Sequence, residues 1–356
     1  MAETKIQNLC SFTRNQGCAA KTRKAFLKRI INSLPELTNK YKKGIVCDYG
    51  SFDDAAVYRL DKENSLVCTV DFITPVTNDP GRFGQIAVAN SLSDIYAKGA
   101  VPSLGLNILG FPQEKIDLAI IEKILKAGHD KAEEAGISII GGHTINLSEI
   151  FYGLAAFGIV KNNEIIFNSG ARDNDVLILT KPLGTNVVFT LANRMGAEIK
   201  PVIIKNCLDL ACELNKVPSI LMKEVGANAC TDISGYGFIG HLSQMLEASK
   251  KKAVVYSAKV PVIKESLNFV QMSYHACSIE ANKKDFEDSA QFSSAVPAPL
   301  RELLFDAHTS GGLLISLPEK KAVTLLSKLH KNKIAHASIV GRIVDAKKQK
   351  SLVNVE

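Results

Sequence analysis

Asp53 and Asp54, Asp71, Asp94 and Asp232 stand in four well-separated segments of a 356-residue chain, each next to apolar residues. Scattered carboxylates that converge in a fold can hold hard cations, and Mg²⁺, which carries nucleotide phosphates, prefers oxygen ligands. Near the start of the chain lies Gly17-Cys18-Ala19-Ala20-Lys21. At i, i+3 on a helical turn Cys18 and Lys21 face the same way, and a nearby ammonium favours the thiolate. The pattern points to ATP-dependent phosphoryl chemistry directed at a soft, sulfur-like nucleophile. On this reading the Cys18 thiol is acidic and exposed, the first in the chain to be alkylated.

The remaining candidates are graded by what their neighbours demand. Asp53 and Asp54 sit where a loop becomes a strand, so they point to opposite faces and one at most looks into a site. Asp71 ends an apolar strand with Thr69 on the same face; a buried carboxylate there needs a ligand or hydrogen bonds. Asn90 and Asp94 share a helix face. Thr231-Asp232 precedes Ser234-Gly235-Tyr236-Gly237, an arrangement that suits a helix N-cap. Gly141-Gly142-His143-Thr144 follows a strand, where glycines let backbone N–H groups approach phosphate closely. No Walker loop occurs. His143, His241 and His308 are not at metal-ligand spacing and read as core or surface histidines.

The elements that position these residues follow one another as β-β-α-β-α-β-β in the first half. Strands are expected over 55–60 and 65–73, a helix over 83–98, a strand over 103–109, a helix over 117–134, and strands over 137–140 and 151–160. Before them, residues 1–17 read as a mobile polar segment, 22–34 as a basic amphipathic helix and 44–52 as a loop. The stretch 161–175, rich in Asn, Gly and Asp, is the linker. The second half reads as strands over 175–180, 229–233, 313–317 and 337–344, with helices over 185–226, 237–248 and 320–330. A short strand and a helix fall within 252–270, and 273–298 reads as a polar loop. Sheets with helices packed on them, without strict alternation, indicate an α+β fold of two domains.

Composition sets the class. The hydrophobic fraction of 46% and charged fraction of 22% are those of a globular protein. The net charge of +7 lacks interleaved aromatics or a nucleic-acid motif, which argues against nucleic-acid binding. No apolar run reaches membrane-span length, and the N-terminus has no secretory core. Eight cysteines without a C-x-x-C pair read as free thiols in a reducing cytoplasm.

Taken in order, the segments resemble the selenophosphate synthetase family. The resemblance is carried by Phe52-Asp-Asp-Ala-Ala-Val-Tyr58, Thr69-Val-Asp-Phe72, Ala89-Asn-Ser-Leu-Ser-Asp-Ile-Tyr-Ala97 and Leu106-Asn-Ile-Leu-Gly-Phe-Pro112. It continues through Gly141-Gly-His-Thr144, Leu179-Thr-Lys-Pro-Leu-Gly184, Cys230-Thr-Asp-Ile-Ser-Gly-Tyr-Gly237 and Thr309-Ser-Gly-Gly-Leu313. It spans residues 17 to 344. It implies the two-domain fold of aminoimidazole ribonucleotide synthetase, each domain a mixed sheet with helices on it. Residues 1–50 become a flexible catalytic segment with a basic helix, 51–162 the ATP-binding, metal-binding and dimerisation domain, and 172–350 the C-terminal domain. The implied reaction takes selenide, ATP and water to selenophosphate, AMP and phosphate with Mg²⁺, in a homodimer whose N-terminal domains pair their sheets.

Residue by residue, the resemblance implies that Cys18 and Lys21 are catalytic, with Lys21 near the phosphates. It implies that Asp53 or Asp54, Asp71, Asp94 and Asp232 bind metal, and that Thr69, Asn90, Gly142 and His143 belong to the nucleotide site. The chain departs from the family in three places. Its N-terminal loop has one glycine before Cys18, a G-G-T-x-x-N segment is not recognisable in 273–289, and Asp306-Ala-His-Thr309 replaces Asp-Pro-Gln-Thr. The rival readings are another kinase or cyclo-ligase of the same superfamily, which lacks the Cys18/Lys21 pair, and a non-catalytic nucleotide-binding paralogue.

Overall fold

In the computed structural model, residues 8–35, 42–195, 199–272, 277–347 and 350–356 are described. After helix α1 (Lys24–Asn32), strands β1 (Ile45–Cys47), β2 (Ala56–Arg59) and β3 (Asn64–Ile73) lead into helix α2 (Pro80–Ala97). Strand β4 (Val101–Phe111), helix α3 (Leu118–Ala135) and strands β5 (Ser138–Asn146) and β6 (Phe151–Lys161) complete the first sheet. Its order is β1-β2-β3-β6-β4-β5, antiparallel except for the β4–β5 pair.

Alternation along β3 decides where chemistry can occur. Val67, Thr69, Asp71 and Ile73 are buried on one face, whereas Val70 and Phe72 point out on the other. The buried face lies under α2. That helix is started by Asp79, whose carboxylate accepts from Arg82 N, with Pro80 in its first turn. From Phe83 to Ala97 α2 is buried all but throughout, so Asn90 and Asp94 are polar groups inside the molecule. Gly84 allows α2 to close on α3, because a Cβ there would lie 2.1 Å from Ile124 O.

The second sheet takes β7 (Asp175–Leu179), β8 (Ala229–Asp232), β9 (Lys252–Val255), β10 (Ala290–Phe292), β11 (Leu313–Pro318), β12 (Ser338–Val344) and β13 (Val353–Val355). Their order is β10-β13-β9-β12-β7-β11-β8. The chain between these strands folds into α4 (Thr185–Met195), α5 (Pro201–Cys212), α6 (Lys216–Val225), α7 (Gly237–Ser249), α8 (Lys264–Gln271), α9 (Cys277–Phe286), α10 (Ala298–Leu303) and α11 (Glu319–Lys331). β7 is buried along its whole length. Both sheets are mixed and helix-packed, which makes the fold α+β.

Four local expectations need correction. Residues 44–52 contain β1 and a 3₁₀ turn. Part of the expected 273–298 loop is α9, held by Asn282 Nδ2 donating to Gly235 O and Phe305 O; residues 273–276 lie outside the described residues, as do 1–7 of the expected mobile segment. β5 does not end before the glycine pair but runs through it to Asn146. Asp232 closes β8 instead of capping a helix, and the N-cap of α7 is Tyr236.

Candidate active site

Where the buried face of β3 meets the end of β8, a cavity of about 570 Å³ opens between the domains. Asp53, Asp54, Thr69, Asp71, Asp94 and Asp232 line it together with Lys21 and His241. The structure therefore brings acids from four elements of the two domains to one place. Thr69 Oγ1 donates to Asp94 Oδ2 at 2.6 Å, and Asn90 Nδ2 donates to Asp71 Oδ2 at 2.9 Å. Thr231 Oγ1 donates to Asp54 Oδ1 at 2.7 Å across the domain boundary.

The N-terminal segment is sewn into the same cleft. Gly17 N donates to Thr74 O and Cys18 N to Thr309 Oγ1, one contact to each domain. The Cys18 thiol donates to Asn90 Oδ1 at 3.2 Å, an oxygen that also accepts from Ser310 N at 2.9 Å. Lys21 Nζ is 2.9 Å from Asp71 Oδ2. Further along, Arg23 pairs with Asp285 at 2.5 Å and Lys24 with Glu247 at 3.0 Å, which docks α1 on the C-terminal half. The expected exposed Cys18 is thus a buried residue, because hydrogen bonds hold its turn to both domains while Leu9 and Phe12 of the same segment pack on the core. Burial pushes its thiol up to about 12, only partly offset by Lys21 and reinforced by Asp71 and Asp232.

Electrostatics bear on what the cavity can hold. Burial, followed by the Asp232 and Asp71 charges, raises Asp94 well above the carboxylate range. Asp232 is pushed up to about 7 by burial and Asp54. Burial alone would lower Lys21, but the charges of Asp71, Cys18, Asp94 and Asp232 together reverse this and hold it firmly protonated. Like carboxylates this close repel unless cations join them. Asp54 Oδ2 takes no hydrogen bond despite its burial. Asp54, Asp232 and His241 each offer a donor atom within 4.8 Å of the others. Two carboxylates and an imidazole gathered this closely, with Asp54 Oδ2 taking no hydrogen bond but only the Lys98 charge, fit a divalent cation.

Two residues here escaped the sequence reading. His241, expected in a core or on the surface, lies on α7 facing the acids; its Nε2 is 3.3 Å from Ser234 Oγ and 3.4 Å from Tyr236 N. Burial lowers its imidazole to about 3, so it is neutral. Lys98, just past α2, is paired with Asp53 and Asp54. No spacing rule joins position 98 to 53; only the fold does. Gly142 and His143 are exposed on β5 at the far edge of the first sheet and do not line this cavity. A second cavity of about 740 Å³ adjoins the first and shares Leu27, Phe52, Thr69, Val70, Tyr236 and Gln244 with it.

Comparison with known proteins agrees with this geometry. Residues 52–160 match the model of the AIR synthase related protein N-terminal domain, and residues 172–354 match that of its C-terminal domain. A selenide, water dikinase of Clostridium botulinum (strain Eklund 17B / Type B) is 38% identical over 337 residues, 95% of this chain and 96% of the relative. One from Caldanaerobacter subterraneus subsp. tengcongensis is 41% identical over 335 residues, 94% and 95% of the two chains. The chain belongs to the selenide, water dikinase family. Two solved structures share its fold at lower identity. Thiamine monophosphate kinase from Aquifex aeolicus superposes with a TM-score of 0.61 at 18% identity, covering 82% of this chain and 87% of the other. The hydrogenase maturation protein HypE in complex with ATP gives 0.61 at 21%, covering 92% and 88%. Of the motif segments quoted from the sequence, those around Asp53, Thr69, Asp94 and Asp232 line the interdomain cavity, whereas Leu106–Pro112, Gly141–Thr144, Leu179–Gly184 and Thr309–Leu313 do not.

Proposed function

We propose that this protein is a selenophosphate synthetase, converting selenide, ATP and water to selenophosphate, AMP and phosphate. The observation that carries the reading is the convergence of Asp54, Asp71, Asp94 and Asp232 with Lys21 in one interdomain cavity, with Cys18 buried beside it. Asp54, Asp94 and Asp232 would hold Mg²⁺ on the polyphosphate, where the bound ion supplies charge neutralisation. Lys21 adds a fixed positive charge for phosphate oxygens, and Thr69 and Asn90 orient Asp94 and Asp71. Phosphoryl transfer to selenide, a strongly nucleophilic anion, mainly requires such positioning and neutralisation. The two contiguous cavities together have the room a nucleotide needs. Cys18 stands against Asn90 beside the acids, placed to hold or deliver selenium.

The family reading also includes a homodimer. Supporting it, the outer face of the first sheet carries Val70, Phe72, Val101 and Ile140 uncovered, and the edge strand β5 is exposed over Gly141–Asn146. Pairing of two such sheets would bring Gly142 and His143 of a second copy toward the nucleotide. The seven described cysteines are unpaired, as suits a cytoplasmic protein. Among the described residues no helix is long and apolar enough to cross a membrane.

The test is product analysis. Selenide and ATP incubated with the protein and Mg²⁺ are expected to give AMP and a selenium-coupled phosphorus signal by NMR. ADP as the only nucleotide product would refute this assignment in favour of a simple kinase.

A further inference from the structure

Lys98 has a side chain that is 0% exposed. Burying an ammonium costs several kcal/mol unless it is paired and hydrogen-bonded, so its neighbours state its role. It follows the last residue of α2, with its backbone N–H on Asp94 O and Tyr96 O and its carbonyl accepting from Ile166 N. This anchors it one turn beyond Asp94. Its Nζ hydrogen-bonds Asp53 Oδ1 and lies 3.2 Å from Asp54 Oδ2.

The two aspartates are used differently. Asp53 Oδ1 also accepts from Asp54 N at 2.8 Å, and Asp53 Oδ2 accepts from Asn168 N at 3.3 Å. Asn168 in turn donates to Phe52 O, tying the linker to the strand entry. Both oxygens of Asp53 are therefore committed to the protein. Asp54 has one oxygen on Thr231, while the other, on a side chain only 7% exposed, takes no hydrogen bond. It lies 3.2 Å from Lys98 Nζ, and Asp54 offers one carboxylate oxygen to the donor group it forms with Asp232 and His241.

Resting on the divalent-cation reading of this cavity, we propose that Lys98 is a resident cation of the site. It withdraws Asp53 from metal binding, fixes Asp54 as the ligating member of the pair, and takes up charge that a further metal ion would otherwise neutralise. Lys98 touches no substrate in this arrangement; it is a positioning residue acting through the two carboxylates.

Metal binding, read directly, separates this from a merely structural ion pair. Purified full-length protein is titrated with Mn²⁺ and free ion followed by electron paramagnetic resonance, with and without a non-hydrolysable ATP analogue. Asp53→Asn is expected to bind Mn²⁺ like the wild type, whereas Asp54→Asn weakens binding about tenfold or more. Lys98→Met, with both carboxylates released, is expected to bind Mn²⁺ several-fold tighter or to take up an additional ion. Lys98→Met/Asp53→Asn, which is neutral and similar in volume, returns to wild-type binding. Equal losses in Asp53→Asn and Asp54→Asn, or unchanged Mn²⁺ binding in a folded Lys98→Met, would overturn the proposal. Should Lys98→Met not fold, the double variant decides: wild-type affinity supports the inference and a tenfold loss refutes it. A wild type that binds no Mn²⁺ sinks the cation reading itself along with it.

Discussion

Cys18 is buried beside the acid cavity instead of exposed on a loose segment. Its neighbour Lys21 was visible three positions on, and it does lie within the field that acts on the thiol. What the spacing could not supply is the partner set: Thr309 and Asn90, 291 and 72 positions away, which bury the turn. Desolvation then outweighs the ammonium, since a thiolate in a closed, acid-lined pocket has no water and faces Asp71 and Asp232. Alkylation rate follows thiolate fraction and access, so the resting enzyme at pH 8 should label slowly at Cys18. Mapping iodoacetamide sites over time by mass spectrometry checks this. Fast labelling of Cys18 would show that the closed turn is not the resting state. The acids were easier to read. A carboxylate at the end of an apolar strand or inside a buried helix needs a partner, so Asp71 and Asp94 stood out as candidates, against a cap or turn contact for the one and a surface salt bridge for the other. Lys98 and His241 did not, because a lysine after a helix and a histidine within one are ordinary until the tertiary contacts are known.

At the level of elements, periodicity was enough for most of the scaffold. The Asp117 and Gly136 ends of α3 were legible from local chemistry, whereas Asp79-Pro80, which starts α2, precedes the helix start expected at residue 83. The failures fall where tertiary contacts override local signals. The glycine pair at 141–142 reads as a turn, yet β4 pairing carries β5 straight through it, with a register shift between Gly105 and Asn107 opposite. Helix α9 reads as loop because its composition is polar, and its stability comes from Asn282 and from Phe286 packed beneath it. The element that matters most for chemistry is the short 3₁₀ turn Cys18–Ala20, entered through Gly17 at φ +56°. A Cβ at Gly17 would stand 2.1 Å from Thr309 Oγ1 and 2.6 Å from Val76 Cγ1. Gly17→Ala should therefore lift the turn off the cleft, at a local cost of roughly 1–3 kcal/mol. Because the two domains have their own cores, the fold should survive with a small fall in Tm. Turnover should drop on the order of 10²-fold, the scale of an ångström-sized misplacement. Comparing circular dichroism melts with initial rates checks this, and a rate near wild type would mean that the turn geometry is dispensable.

Across the whole molecule, one protomer holds the acids, Lys21 and Cys18 but leaves part of its sequence signature stranded. Gly142 and His143 sit on the opposite edge of the first sheet, with β6 and β4 between β5 and β3. The outer face of that sheet carries Val70 at 62% exposure and Ile140 at 65%. Large apolar side chains clustered on an uncovered sheet face, beside an edge strand with free backbone groups, mark an interface more often than a free surface. Self-association answers both problems: it covers the face, and it moves the stranded segment toward a second copy's nucleotide. Ile140→Asp tests this without touching the acid cavity, since β5 does not line it. The wild type is expected to elute with light scattering near twice the 38.6 kDa of one chain, and the variant near one chain. If the dimer completes the site, the monomeric variant should keep its circular dichroism spectrum and Mn²⁺ binding while its KM for ATP rises at least about tenfold, the loss expected when a small set of phosphate hydrogen bonds is removed. A wild type that is monomeric at micromolar concentration and fully active would end the dimer proposal. A monomeric variant with unchanged KM would keep the dimer but remove Gly142 and His143 from the nucleotide site.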